Sequence, residues 1–224
     1  MPNPGFRSSV SPGARLPWDA RLARILVEPL RDTRVTPNHL TTVRLGVGLA
    51  AAACFLPGSF GWSNLAALFL AASNFLDHTD GELARLSGKA SRFGHLYDLA
   101  SDAIVTILLF VAIGVGVAGG RKFPDQWLAP PVAEGIIAGC AIALIFFLRM
   151  RIEDLAGKEA TRQGEAGGFE TEDILYLLPL VTLCDGLRPF LIAAAICAPV
   201  FAAWVLIAYA RLVRQPQSAP SRST

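Results

Sequence analysis

The feature that most constrains this chain is a succession of long apolar runs separated by short polar segments. One of them, AIVTILLFVAIGVGVA at 103–118, carries no charged side chain. Several runs approach the roughly 20 residues an α-helix needs to cross a bilayer. In hydrocarbon every backbone N–H and C=O must find a partner inside the protein, so spanning segments are helices or strands of a closed barrel. Barrel strands alternate apolar and polar residues in shorter segments, and these runs do not alternate. Composition agrees, since 53% of the 224 residues are hydrophobic and the mean hydropathy is +0.45. The expected fold class is an all-α integral membrane protein with six transmembrane helices, preceded by an amphipathic interfacial helix.

The expected order is as follows. Residues 1–16 are rich in Pro and Arg, lack the apolar stretch of a signal peptide, and read as disordered. The membrane domain runs over 17–214, and the tail 215–224 reads as disordered. Within the domain, 17–32 places Trp18, Leu22, Ile25 and Leu26 on one helical face, with most charges elsewhere. It is too short and too charged to span, which suits a helix lying on the bilayer surface. Pro17 fits its start, and Pro29 is expected to end or kink it. The six spans occupy 38–213. They are expected near 38–56, from 63 into an acidic stretch at 77–102, 91–118, 132–150, 174–184 and 189–213. The fifth is the weakest, being short and containing Pro179.

Charge distribution supports this count. With both termini and every second loop on one side, that side holds all Lys and Arg except Arg121, Lys122 and Arg188. The positive-inside rule then puts the termini and the acidic stretch in the cytoplasm, at the inner (cell) membrane of a bacterium. The net charge of +2 is small and implies no nucleic-acid partner. Cys54, Cys140, Cys184 and Cys197 form no CxxC pair and read as small buried hydrophobes.

The acidic stretch is DHTDGELARLSGKASRFGHLYDLASD. At about 100° per residue, Asp80, Gly81, Ala84 and Arg85 all fall within about 80° of Asp77 on a helix. On the following helix Gly94, Asp98 and Asp102 recur every fourth residue, another stripe. Two antiparallel helices with a short loop can turn these stripes toward each other. Four converging carboxylates at a membrane interface are costly unless neutralised. Oxygen ligation favours Mg²⁺ or Mn²⁺ over zinc. His78 and His95 are offset from the stripes and read as solvated or packing residues. Gly81 and Gly94 each cost about 1 kcal/mol in a helix, and a missing side chain there allows a ligand close approach. Arg85 supplies a fixed charge suited to phosphate. Together these residues describe a diphosphate site.

The spacing D-x2-D-G-x2-A-R-x8-G-x3-D-x3-D resembles the signature of the CDP-alcohol phosphatidyltransferases. TPNHLTTVRL at 36–45 is similar to the TPN-x-x-T-x-x-R opening of that family's first span. The resemblance covers roughly 17–120. It implies attack of an alcohol on the β-phosphate of a CDP-alcohol, such as CDP-diacylglycerol, with release of CMP, in phospholipid biosynthesis. It implies that Asp77, Asp80, Asp98 and Asp102 ligate metal, with two ions expected, and that Asp102 is the general base. It implies that Gly81, Ala84, Arg85, Ser91 and Gly94 line the CDP site, bordered by Pro37 and Asn38. It further implies a homodimer in the bilayer.

The acceptor hydroxyl is less legible. DLASDA lacks the Pro and Lys seen in glycerol-phosphate-using relatives, and AIVTIL lacks the S-F-G of serine-using ones. Lys89, Arg92, Arg149 and Arg151 can form a basic pocket for an inositol phosphate, or can be ordinary positive-inside charges. The stretch 151–173 carries seven acids against three bases, so it does not resemble an anion site. Two rival readings fit parts of the pattern. A UbiA-type prenyltransferase also uses Asp, Mg²⁺ and a diphosphate, but with two distant acidic motifs. A cation transporter would use intramembrane carboxylates, yet these cluster at one interface and no internal repeat is evident.

Overall fold

The structure, a computed structural model, describes residues 18–89, 91–119, 130–157 and 177–214. Every regular element among them is helical. The chain forms α1 (Trp18–Val27), a single 3-10 turn (Glu28–Leu30), α2 (Pro37–Phe55), α3 (Phe60–Ser87), α4 (Arg92–Gly119), α5 (Pro131–Ala156), α6 (Leu178–Leu183) and α7 (Leu187–Arg214). Pro37, Pro131 and Pro179 stand at the starts of α2, α5 and α6, where their fixed φ suits the first turn. Pro29 falls in the 3-10 turn that follows α1. Gly88 ends α3 in the left-handed region at φ 65°, a conformation that favours glycine.

Three helices, α4, α5 and α7, are long and apolar enough to cross a bilayer. At 1.5 Å per residue each runs about 40 Å. Helices α2 and α3 fall short in hydropathy, not in length. One carries Asn38, His39 and Arg44, and the other ends in Asp77, His78, Asp80, Glu82 and Arg85. Five of the six expected spans thus appear as helices close to their expected limits. The fourth runs on to Ala156, into charged sequence assigned to the loop. For the fifth, α6 covers only Leu178–Leu183, and 174–176 lie outside the described residues, as do both expected disordered ends.

Helix α2 organises one end of the bundle. It packs against both α3 and α4, whereas α3 and α4 do not pack on each other among the described residues. The backbones of α3 and α4 stay apart, with α2 bridging the gap, yet their acidic stripes face each other: oxygens of Asp77, Asp98 and Asp102 lie within 4.8 Å of one another. Helix α4 packs on α5, and α5 on α7. Glu134 meets Arg188, and Ala141, Ile145 and Leu148 cluster with Ala198, Ala202 and Val205. Helices α5 and α7 therefore run in the same direction.

The main core joins Phe55, Ala66, Leu70, Leu109, Phe110, Ile113, Leu178 and Leu191. At the crossing of α4 and α5 the backbones touch. A Cβ on Gly135 would collide with the Phe110 carbonyl oxygen, and one on Gly114 would sit 2.5 Å from the Pro131 carbonyl oxygen. Lipid removes the hydrophobic drive between helices, so such close small-residue contact is what holds them. Leu108, Ile136, Ile137, Val200 and Trp204 remain exposed on the isolated chain, as a lipid-facing surface requires.

Two expectations are adjusted. Cys140, Cys184 and Cys197 are exposed, and Cys54 is half-buried. Cys140 and Cys197 sit on outward faces of α5 and α7, where apolar side chains need no burial in protein, Cys184 follows the end of α6, and Cys54 packs against the main core. On α1, Ala23 and Val27 are buried, and α1 packs on α3, while Leu22, Ile25 and Leu26 face outward. The larger apolar stripe is thus left for another medium.

Candidate active site

Thr41 and Arg44 lie three residues apart on α2, so they share a face. Both are buried, and both point at acids. Thr41 Oγ1 donates to Asp80 Oδ2 at 2.8 Å. Arg44 reaches three carboxylates at once. Its Nη1 pairs with Asp77 Oδ1, and lies 2.9 Å from Asp102 Oδ1. Its Nη2 donates to Asp98 Oδ1 at 2.7 Å and to the Asp98 carbonyl at 3.4 Å. The Ser73 hydroxyl donates to the Arg44 carbonyl at 3.2 Å and ties α2 to α3 at this level. A buried arginine is tolerable only when its donors are met, and here the acids meet them.

The carboxylates are not buried with it. Side chains of Asp77, Asp98 and Asp102 are 33%, 34% and 38% exposed, against 4% for Arg44. Each offers an oxygen within 4.8 Å of the others. Three hard oxygen donors, close together and open on one side, suit an oxygen-ligated divalent cation. One guanidinium against three carboxylates also leaves negative charge in excess. Asp80 stands apart from this trio, buried and held by Thr41.

Beside the trio is a cleft of about 210 Å³. It is lined by Asp77, His78, Asp80, Gly81, Glu82 and Arg85 of α3 and by Asp98 of α4. It occupies the space that α3 and α4 leave between them. Gly81 has nothing within 4 Å of where a Cβ would stand. Its missing side chain therefore serves no helix contact within the chain. Arg85 is 69% exposed and pairs with the buried Glu82 three residues before it. Ala84 is half-buried on the same helix.

Gly94 behaves differently. A Cβ there would sit 2.8 Å from Asn38 Oδ1 and 3.1 Å from Ser91 Oγ. Ser91 Oγ accepts from the Gly94 N–H at 2.9 Å. Asn38, Ser91 and Gly94 thus form a second group where α2 and α4 begin, next to Pro37. The Thr42 and Tyr97 hydroxyls, 3.0 Å apart, link the same two helices.

Two of the four basic residues, Lys89 and Arg151, make contacts of their own. Lys89 Nζ donates to the carbonyls of Thr33 (2.9 Å) and Val35 (3.3 Å), fastening the α3–α4 turn to the chain before α2. Arg151 pairs with Asp154 at 3.7 Å. Arg92 is exposed at the start of α4, and Arg149 is half-buried near the end of α5.

Sequence reasoning named neither Arg44 nor Thr41 as site residues, although both stand in the quoted opening stretch. A lone charge inside an apolar helix was the available signal. It also left out Glu82, and read His78, which lines the cleft, only as a solvated or packing residue. A second buried ion pair went unnoticed altogether. Glu134 and Arg188 are 1% and 8% exposed, and Arg188 Nη2 donates to Glu134 Oε1 at 3.1 Å while Nη1 pairs with Oε2. This pair joins the starts of α5 and α7, at the opposite end of the bundle.

Comparison with known proteins follows the same lines. The family model described as CDP-alcohol phosphatidyltransferase matches residues 34–214. The phosphatidylinositol phosphate synthase of Corynebacterium glutamicum is 34% identical over 153 residues, 66% of this chain and 61% of that protein. The archaetidylinositol phosphate synthase of Pyrococcus horikoshii is 38% identical over 87 residues, 38% of this chain and 45% of that protein. The CMP-forming cardiolipin synthase of Streptomyces coelicolor is 29% identical over 148 residues, 66% of this chain and 62% of that protein. The chain thus covers less than two thirds of the length of these relatives.

Proposed function

The chain belongs to the CDP-alcohol phosphatidyltransferase family, and from that premise we propose that it transfers a phosphatidyl or related phospho-alcohol group from a CDP-alcohol to a hydroxyl acceptor, releasing CMP. The observation that carries this reading is the open carboxylate trio beside a cleft that ends in Arg85. Displacement at a diphosphate calls for charge neutralisation and alignment more than for a covalent enzyme intermediate.

Asp77, Asp98 and Asp102 would hold a divalent ion, Mg²⁺ or Mn²⁺, and Asp80 is the further carboxylate available if two ions bind. An ion held there would supply charge neutralisation for the diphosphate oxygens and the departing CMP. The chain's own groups do the rest. Arg85, steadied by Glu82, faces the cleft as a phosphate partner. Gly81 leaves room for the donor against α3. Ser91, Gly94, Asn38, Pro37 and Ala84 are assigned to the nucleotide side. Asp102 accepts the proton of the acceptor hydroxyl. A carboxylate is a weak base, so positioning must do part of the work.

Two relatives are named for inositol phosphate lipids. Arg92 and Arg149 stand near the ends of α4 and α5 that lie toward the trio. Inositol phosphate is therefore the first acceptor to test, ahead of glycerol phosphate and serine. The donor is taken to be CDP-diacylglycerol. We also assign six spans, with α1 on the membrane surface. The common direction of α5 and α7 supports a crossing between them. Orientation with the trio and both termini in the cytoplasm follows from the charge asymmetry, and a homodimer from the family.

The test is CMP release from CDP-diacylglycerol by purified protein, with each acceptor added singly. Transfer should stop in EDTA and return with Mg²⁺ or Mn²⁺. Full turnover after rigorous chelation would defeat the metal assignment. Pyrophosphate release in place of CMP would point to prenyl transfer instead.

A further inference from the structure

We infer that Arg44 is the resident counter-cation of the Asp77–Asp98–Asp102 trio and that its charge limits how tightly the trio takes a divalent ion. The inference rests on reading the trio as the metal site. The guanidinium touches the oxygens of all three acids. Its side chain is almost wholly buried, and Ser73 fixes the backbone that carries it. It is thus part of the site's framework and not a surface charge that solvent can screen.

Three carboxylates this close repel one another, and the shared guanidinium relieves that repulsion. The same positive charge then acts against any second cation bound by those oxygens. With the acids ionised, the trio and Arg44 together carry a formal charge of two negative units, which one divalent ion cancels. Without Arg44 the trio is more negative and should take the ion more tightly. Arg44 therefore trades affinity for a site that stays assembled and lets its ion exchange. An arginine that only braced helices would have the opposite signature, because removing it would loosen the trio and weaken binding.

The experiment measures Mn²⁺ binding to the purified full-length chain, by paramagnetic resonance of the free ion, with no substrate present. Asp98→Asn should weaken binding and so locate it. Arg44→Met should bind Mn²⁺ about tenfold more tightly than the unaltered protein, the scale of one pKa unit for a nearby charge. Arg44→Gln, which keeps hydrogen bonds but not charge, carries the same expectation and guards against a fold lost with methionine. Arg44→Lys keeps the charge and should stay within about threefold. Mn²⁺ should also raise the unfolding temperature of Arg44→Met by more than that of the unaltered protein. Equal or weaker binding by both neutral variants overturns the inference. If the unaltered protein binds no Mn²⁺ that Asp98→Asn removes, the metal assignment itself fails, a different result.

Discussion

Among the described residues two arginines are buried, at opposite ends of the helices, and they are used differently. Arg188 meets one acid, Glu134, in a two-pronged pair that is sealed on both sides. Arg44 meets three acids, none of them sealed. The first arrangement is balanced and closed, so its charges have nothing left to bind. The second is unbalanced and open, so its surplus charge faces the cleft. Exposure and stoichiometry, not the presence of an ion pair, distinguish a fastening from a site. Loss of one partner from a sealed pair leaves a bare buried charge, whereas loss of one acid from the trio leaves Arg44 still paired.

That contrast gives its own tests. The largest effect is expected for Asp102→Asn, which should lower the rate of CMP release by about a hundredfold to ten-thousandfold. Its unfolding temperature should hardly move, because Asp77 and Asp98 still pair with Arg44. Near-normal turnover would remove Asp102 as the base. Next, Glu134→Gln should cost about 3–5 kcal/mol of stability, read by chemical unfolding in detergent. Turnover per folded molecule should stay unchanged, and a loss of turnover would mean that the far pair reaches the site. Replacing both partners, Glu134→Met with Arg188→Met, should recover most of that stability, since an apolar pair of similar size leaves no orphaned charge. The smallest effect belongs to the cleft. Gly81→Ala should stabilise α3 by about 1 kcal/mol, because nothing stands near the added methyl. The same methyl should raise KM for the donor by about tenfold, the scale of one misplaced methylene in a fitted site. A stabilised variant with unchanged KM would show that Gly81 lies outside the donor's path.

What the sequence made legible follows from range. The apolar runs and the acidic stripes are periodic along one segment, so helix limits and the spacing of Asp77, Asp80, Asp98 and Asp102 could be read directly. The arrangement of helices could not. Nothing local says that α2 bridges α3 and α4, or that its Arg44 sits among the acids of the two stripes. The partners of Arg44 lie 33, 54 and 58 residues away, and Glu134 and Arg188 are 54 residues apart. One sequence shows each charge in its apolar run, but not which opposite charge it will find. The two glycines make the same point. Gly81 and Gly94 look alike in the sequence, yet one faces open space and the other is overlain by Asn38.

The gap between α3 and α4 has a kinetic consequence. On the proposed function, a donor with acyl chains stays anchored in the bilayer, and its headgroup would reach the cleft between α3 and α4 without the tails leaving the lipid. Such an enzyme would sample its donor in two dimensions. What it senses is the donor's mole fraction in the surrounding lipid, not its molarity in the tube. Two assays with the same amount of donor, one diluted with inert detergent, should therefore run at different speeds.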